Sequence, residues 1–206
     1  SLSGQRFQVS YQNEVPFELE IPLLGAHQVE NAATAYAALR VAAANNLPLS
    51  PEAIRTGFAR MSWPGRFEIL MHDPNPIILD AAHNQDSARR LRETLDQAFP
   101  ARPAVIVLGV SGDKNVREML TDLRSRHETA PITLIATQST HARAMPAAQL
   151  ASIATELGFV QEWTPNIQDA LTRAGQIVPA NGLILVTGSV FVAGEARTCL
   201  QASSRP

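Results

Sequence analysis

The sequence predicts an α/β protein with a mostly parallel sheet and helices on both faces. Three observations carry this. From Phe67 onward, apolar runs of strand length alternate with amphipathic stretches of helix length. The run at residues 104–108 is continuously apolar, as a strand covered on both sides is, and the runs at 132–136 and 183–186 are the next apolar strands. Hydrophobic residues make up 45% of the 206 positions against 17% charged, so a sizeable core forms and wholesale disorder is ruled out.

The balance of charge excludes some partners. A net charge of -2 gives no electrostatic reason to bind nucleic acid or a membrane surface. The single cysteine, Cys199, allows neither an internal disulfide nor a cysteine-based zinc site, and fits a reducing, cytoplasmic location. No apolar run approaches the roughly 18 residues of a membrane span. The run at 182–193 is short and interrupted by Gly188 and Ser189, which marks a buried strand and turn.

Taken in order, residues 6–11 and 17–21 alternate apolar and polar, with Asn13 and Pro16 between them, and predict a hairpin-like strand pair. Two strands alone are marginal, so the pair reads as the edge of a larger sheet completed outside this chain. Residues 25–46 predict an Ala-rich helix with Val29, Ala32, Ala33, Tyr36, Leu39 and Ala43 on its apolar face. His27 and Asn31, four apart, share another face. Ser50 and Pro51 suit the N-cap and first position of a short helix over 52–60, with Ala53, Ile54 and Phe58 inward. Residues 61–66 read as a linker with a turn at Pro64-Gly65.

The strand–helix alternation follows. Strands are expected at 67–71 and 77–80 around a turn at 72–76, then a helix over 84–99 with Ala88, Leu91, Leu95 and Phe99 in one stripe. After the strand at 104–108, Val116, Met119, Leu120 and Leu123 mark a helix. After 132–136, Pro146 starts the next, with Leu150, Ile153, Ala154 and Leu157 inward. Phe159-Val160 is a short strand, and Ile167, Ala170, Leu171, Ala174 and Ile177 mark another helix. The strand at 183–186 and a closing helix over 190–200 complete the order, with a frayed tail after Leu200.

Several positions are candidates for chemistry, each with a plain structural alternative. Asp80 ends a strand, where an acid accepts ribose hydroxyls; the alternative is a loop acid or helix cap. Asn84 suits an N-cap, and His83 beside it is either a phosphate contact or a surface residue. Arg66 is either a phosphate-reaching arginine between two domains or a solvated linker charge. His27 and Asn31 are either an adenine contact or a surface polar pair. Gly109 to Lys114 leaves a strand for a helix without P-loop spacing; it offers N–H groups and Lys114 to an anion, or is a plain loop. Thr187-Gly188-Ser189 either holds a carboxylate or makes a turn and cap. No Gly-x-Ser-x-Gly elbow is present, and His27, His72, His83, His127 and His141 lack metal-ligand spacing.

Five motifs then stand in a fixed order: Gly25-x-His27-Gln28-x-x-Asn31-Ala32, Trp63-Pro64-Gly65-Arg66-x-Glu68, Asp80-x-Ala82-His83-Asn84, Asp113-Lys114 and Thr187-Gly188-Ser189. Together they resemble the folylpolyglutamate synthase/dihydrofolate synthase family of the Mur ligase superfamily. The Trp-Pro-Gly-Arg and Asp-x-Ala-His-Asn pair is the most specific part. The resemblance implies a Rossmann-like C-terminal domain over residues 67–206, preceded over 1–66 by the C-terminal remnant of the central ATPase domain. It implies an ATP-dependent amide ligase: ATP phosphorylates a folate or pteroate carboxylate, and the amine of glutamate displaces phosphate. It implies that the C-terminal domain swings to close the site. By the same resemblance Asn31 contacts adenine, Arg66 the ATP phosphates and Asp80 the ribose. His83 lies near phosphates or ribose, where with Lys114 it serves catalysis, and Ser189 and Asp113 lie towards glutamate.

Two departures from the family pattern stand out. Its usual Asp-Gly-Ala-His-Asn reads Asp80-Ala81-Ala82-His83-Asn84 here, and an alanine in place of a positive-φ glycine would be strained. Its Gly-Lys-Ser/Thr phosphate loop, magnesium (Mg2+) ligands and folate loop are not in this chain. The expectation is a piece of a longer ligase, inactive alone, working with an N-terminal ATPase domain in cis. Two other readings are a fragment of a peptidoglycan Mur ligase and a stand-alone nucleotide- or amino-acid-binding module. The module reading expects residues 6–21 to pair within the chain and the reading frame to open near Ser1.

Overall fold

The computed structural model describes residues 1–12, 15–71, 74–124 and 132–203. The expectations at Asn13, His72, His127 and the last three residues of the tail lie outside them. The chain divides into two compact units, Ser1–Trp63 and Pro64–Pro206.

In the first unit, β1 (Gln5–Val9) and β2 (Phe17–Ile21) pair antiparallel, Phe7 opposite Leu19. Pairing within the chain is common to the fragment and module readings and does not separate them. Helix α1 (Ala26–Ala44) buries Gln28, Ala32 and Tyr36; Val29, Ala33, Leu39 and Ala43 are half-buried. It ends where Asn46 turns left-handed (φ 70°) and Leu47 donates back to Ala42. Ser50 caps α2 (Pro51–Ala59) by accepting the N–H of Ala53 at 3.1 Å. Leu19, Ile21, Ile54 and Phe58 close a small core over α1.

Among the described residues, the second unit carries one sheet of six strands, ordered β3-β4-β8-β5-β6-β7. The strands are β3 (Glu68–Met71), β4 (Ile77–Leu79), β5 (Ala104–Leu108), β6 (Ile132–Ala136), β7 (Val160–Trp163) and β8 (Leu183–Thr187). Only β3, at an edge, runs antiparallel. The helices are α3 (Gln85–Ala98), α4 (Val116–Leu123), α5 (Ala147–Glu156), α6 (Ile167–Ile177) and α7 (Val190–Ser203). Helices α6 and α7 cover the face holding Ile77, Leu79, Val105, Val107, Ile135, Ile184 and Val186. The alternate residues Ile78, Ile106, Leu108, Leu134 and Leu185 are equally buried on the other face, where α3, α4 and α5 pack side by side. The expected α/β class with a mostly parallel sheet is therefore the observed fold.

Some boundaries shift for physical reasons. Phe67 is not strand: its φ of 47° turns the chain before β3 begins at Glu68. Strand β7 is longer than its two apolar residues indicated, because Gln161 and Glu162 pair with β6 as an edge. Helix α7 continues through Gln201 and Ala202, where fraying was expected. The last strand in sequence, β8, inserts between β4 and β5, so the strand C-termini converge beneath three loops.

Candidate functional site

The chain before β3 is locked to the chain after β4. Asp80, following β4, accepts the N–H of Phe67 at 2.9 Å through Oδ2 and that of Ala82 at 2.8 Å through Oδ1. Ala81 donates its N–H to the carbonyl of Gly65 at 2.9 Å. Glu68 accepts the N–H of Gly65 through Oε2 at 2.9 Å and holds Nε of Arg197 in α7 through Oε1, also at 2.9 Å. Gly65 has φ 71°, which suits glycine, and a methyl there would touch Ala193 of α7. These bonds tie Gly65 and Phe67 to the second unit, whose first residue, Pro64, falls inside the stretch 61–66 read as a linker.

Asp80 is 9% exposed. Burial pushes its carboxyl up to about 6, although the N–H groups of Phe67 and Ala82 and the charges of Arg66 and His83 pull the other way. Arg66, Asp80 and His83 thus stand together. The exposed His83 has Nδ1 3.0 Å from the carbonyl of Ala81. A carbonyl only accepts, so Nδ1 carries the proton and neutral His83 presents Nε2 as an acceptor. Such an imidazole takes a hydroxyl proton; it donates to an anion through Nε2 only when protonated. Asn84 caps α3: its Oδ1 accepts Ser87 N–H at 2.8 Å, and Ser87 Oγ accepts the N–H groups of His83 and Asn84, each at 3.0 Å. Ala81 is buried with no left-handed backbone, so alanine in place of the family's glycine costs no strain.

The neighbouring loops carry the other candidates. Lys114 Nζ stands 3.2 Å from Asp113 Oδ2, and this contact holds the Asp113 carboxyl below its usual range. Thr187 is wholly buried. Gly188 has φ 108°, and a methyl there would fall 2.4 Å from the carbonyl of Gly109. Ser189 is 6% exposed and its Oγ accepts the N–H of Val192 at 3.1 Å, capping α7 while keeping its own hydroxyl proton to donate. In the first unit, Asn31 donates to Oε1 of buried Gln28 at 3.3 Å, and Gln28 Nε2 lies 3.1 Å from Nε2 of His27. Among the described residues no group of three or more His, Cys, Asp or Glu gathers to hold a metal ion.

Sequence reasoning gave no role to Gln28, Glu68, Phe67 or Arg197. Glu68, three residues after Gly65, carried a signal in that spacing. Phe67 carried none, because nothing in a phenylalanine announces a left-handed backbone.

A doubly wound, mostly parallel sheet with helices on both faces, and with its candidate residues at the carboxyl edge of the strands, defines the class of open Rossmann-like α/β domains. The chain belongs to the Mur ligase family: residues 65–190 match its glutamate ligase domain. It is 32% identical over 198 residues to the folylpolyglutamate synthase of Lacticaseibacillus casei, covering 96% of this chain and 44% of that protein. It is 33% identical over 215 residues to the dihydrofolate synthase/folylpolyglutamate synthase of Mycobacterium tuberculosis, covering 96% of this chain and 43% of that protein. Among solved structures, Mycobacterium tuberculosis folylpolyglutamate synthase complexed with ADP superposes with a TM-score of 0.83 at 32% identity, over 100% of this chain and 46% of that one. A bifunctional folylpolyglutamate synthase/dihydrofolate synthase with Mn, AMPPNP and L-glutamate bound gives 0.76 at 27% identity, over 93% and 43%. The chain spans less than half the length of these relatives. No described helix is long and apolar enough to cross a membrane.

Proposed function

We propose that this chain is the C-terminal part of an ATP-dependent amide ligase that adds glutamate to folate or dihydropteroate through an acyl phosphate. The observation that carries the reading is the lock between Asp80 and the Gly65–Phe67 turn, which holds an arginine, a buried acid and an imidazole at one strand edge. ATP and glutamate enter as substrates, in keeping with the ADP, AMPPNP and L-glutamate named for structural relatives.

In this reading the Asp80 oxygens, each holding one backbone N–H, keep lone pairs for the ribose hydroxyls. Arg66 takes the ATP phosphates. His83 accepts a hydroxyl proton through Nε2 in its neutral form, or steadies a phosphate when protonated. Asn31, oriented by Gln28, contacts adenine. Lys114 steadies charge that develops as the glutamate amine attacks the acyl phosphate, and phosphate leaves. Asp113 sets the position of Lys114, and the hydroxyl of Ser189 donates to glutamate. Magnesium accompanies ATP and neutralises its phosphates, with its protein ligands expected outside these residues. The remaining phosphate-binding machinery is expected from an ATPase domain in cis, so the isolated 206-residue chain is proposed to be inactive and the protein cytoplasmic.

The experiment is an ADP-release assay on the complete gene product with ATP, L-glutamate and either dihydropteroate or a reduced folate, run beside the isolated chain. Activity of the complete product with at least one pteridine, and none from the isolated chain, is expected. Glutamate ligation by the isolated chain overturns the fragment reading.

A further inference from the structure

Thr187 ends β8 and is wholly buried, and its Oγ1 has no hydrogen-bond partner among the described residues. An unpaired buried hydroxyl costs free energy, so a second arrangement that gives it an acceptor is favoured by that amount. The sheet register supplies the acceptor. Leu79 pairs with Val186, and Asp80 extends that ladder by giving its N–H to the carbonyl of Val186 at 3.0 Å. Asp80 therefore stands opposite Thr187 on a neighbouring strand, and such strands run about 4.8 Å apart. Leu79 and Val186 face α6 and α7, so the residues that follow them, Asp80 and Thr187, share the other face, as does Leu108 across from Thr187. A hydroxyl without an acceptor and a buried carboxylate are thus side by side, and rotation about a side-chain bond brings them together.

The present use of the carboxylate keeps them apart. Its Oδ1 takes the N–H of Ala82, two residues on, and its Oδ2 takes the N–H of Phe67 from the turn before β3. Phe67 has φ 47°, a left-handed backbone that phenylalanine adopts only at a cost. This arrangement therefore carries two costs at one carboxylate, the left-handed phenylalanine and the unpaired threonine. One rearrangement relieves both. When the Phe67 N–H leaves Oδ2, the Thr187 hydroxyl takes its place, and the acid keeps two donors. The bonds from Ala81 to the Gly65 carbonyl and from Gly65 to Glu68, each at 2.9 Å, hold the turn against this change.

We infer that Asp80 is a two-position latch with the Phe67 N–H and the Thr187 hydroxyl as alternative donors, and that Thr187 is a positioning residue which steadies the open position of the Gly65–Phe67 turn. Opening moves Arg66, which that turn carries. The inference stands on the geometry of the second unit, so it and the ligase reading can fail separately.

The test is amide hydrogen exchange in the complete gene product, read in peptides covering residues 64–71 and 79–83, with Tm measured alongside. These hold the Gly65, Phe67 and Ala81 amides that closing the turn protects. Thr187→Val keeps the shape and removes the hydroxyl, so the open position loses its donor. Exchange of these amides is expected to slow about fivefold or more, while a peptide from β5 stays within about twofold of wild type. Tm is expected to hold or rise, because the lost hydroxyl had no partner in the closed position. Thr187→Ser keeps the donor and is expected to exchange as wild type does. Unchanged or faster exchange in Thr187→Val, a fall in its Tm, or a Thr187→Ser protein that matches the valine variant overturns the inference.

Discussion

Asp80 Oδ2 accepts the backbone N–H of Phe67 at 2.9 Å across 13 residues of chain, in a site that is otherwise buried. One carboxylate thereby fixes a left-handed turn at Phe67 and places Arg66 beside it. Both the stability of the second unit and its proposed use of ATP pass through this bond.

Stability should depend on the ionisation of Asp80. Burial raises its folded pKa to about 6 from 3.8, so its contribution is fully present below about pH 4 and is lost as pH rises through about 6. The change corresponds to about 3 kcal/mol. Denaturant unfolding of wild type and Asp80→Asn between pH 4 and 7 isolates it. Asp86, Asp113 and Glu162, whose carboxyls are held low by Arg89, Lys114 and Arg173, cancel in the comparison. Wild type is expected to lose stability relative to the variant as pH rises; parallel curves would contradict the assignment.

Glu68 joins the Gly65 turn to α7 through Arg197. Glu68→Ala leaves the Gly65 N–H and a half-buried guanidinium without this partner and is expected to cost about 1–3 kcal/mol. Combined with Arg197→Ala in a double-mutant cycle, it should show a coupling of about 0.5 kcal/mol or more. Strict additivity would mean the ion pair contributes nothing.

Gly188 brings β8 against the loop after β5. A methyl there would fall 2.4 Å from the carbonyl of Gly109, at φ 108°. Gly188→Ala is expected to cost about 3 kcal/mol or more, read as a drop in Tm, because backbone and not a flexible side chain must yield. Gly57, with open space around its absent Cβ, is the control position.

How much of this was legible in the sequence differs by level. The parallel sheet was legible because β5 is apolar throughout and β6 and β8 nearly so, a pattern that follows from burial on both faces. The caps at Ser50 and Asn84 were legible because their side chains bond locally. The insertion of β8 between β4 and β5 was not, since periodicity carries no strand order. Strand β7 was seen as Phe159-Val160 alone because an edge strand tolerates polar Gln161 and Glu162. At the site, Asp80, Arg66 and His83 were legible as residue types at a strand end. The lock between Asp80 and Phe67 was not, because a left-handed phenylalanine is set by tertiary bonds.

The most direct measurement of the central claim is ADP formation by the complete gene product with L-glutamate and pteridine supplied or withheld, in wild type and in Arg66→Ala. ADP formation that requires both acceptor substrates, with kcat/KM for ATP falling about tenfold or more in Arg66→Ala, is the expected result. ADP formation indifferent to glutamate, or an Arg66→Ala enzyme that uses ATP as wild type does, would contradict it.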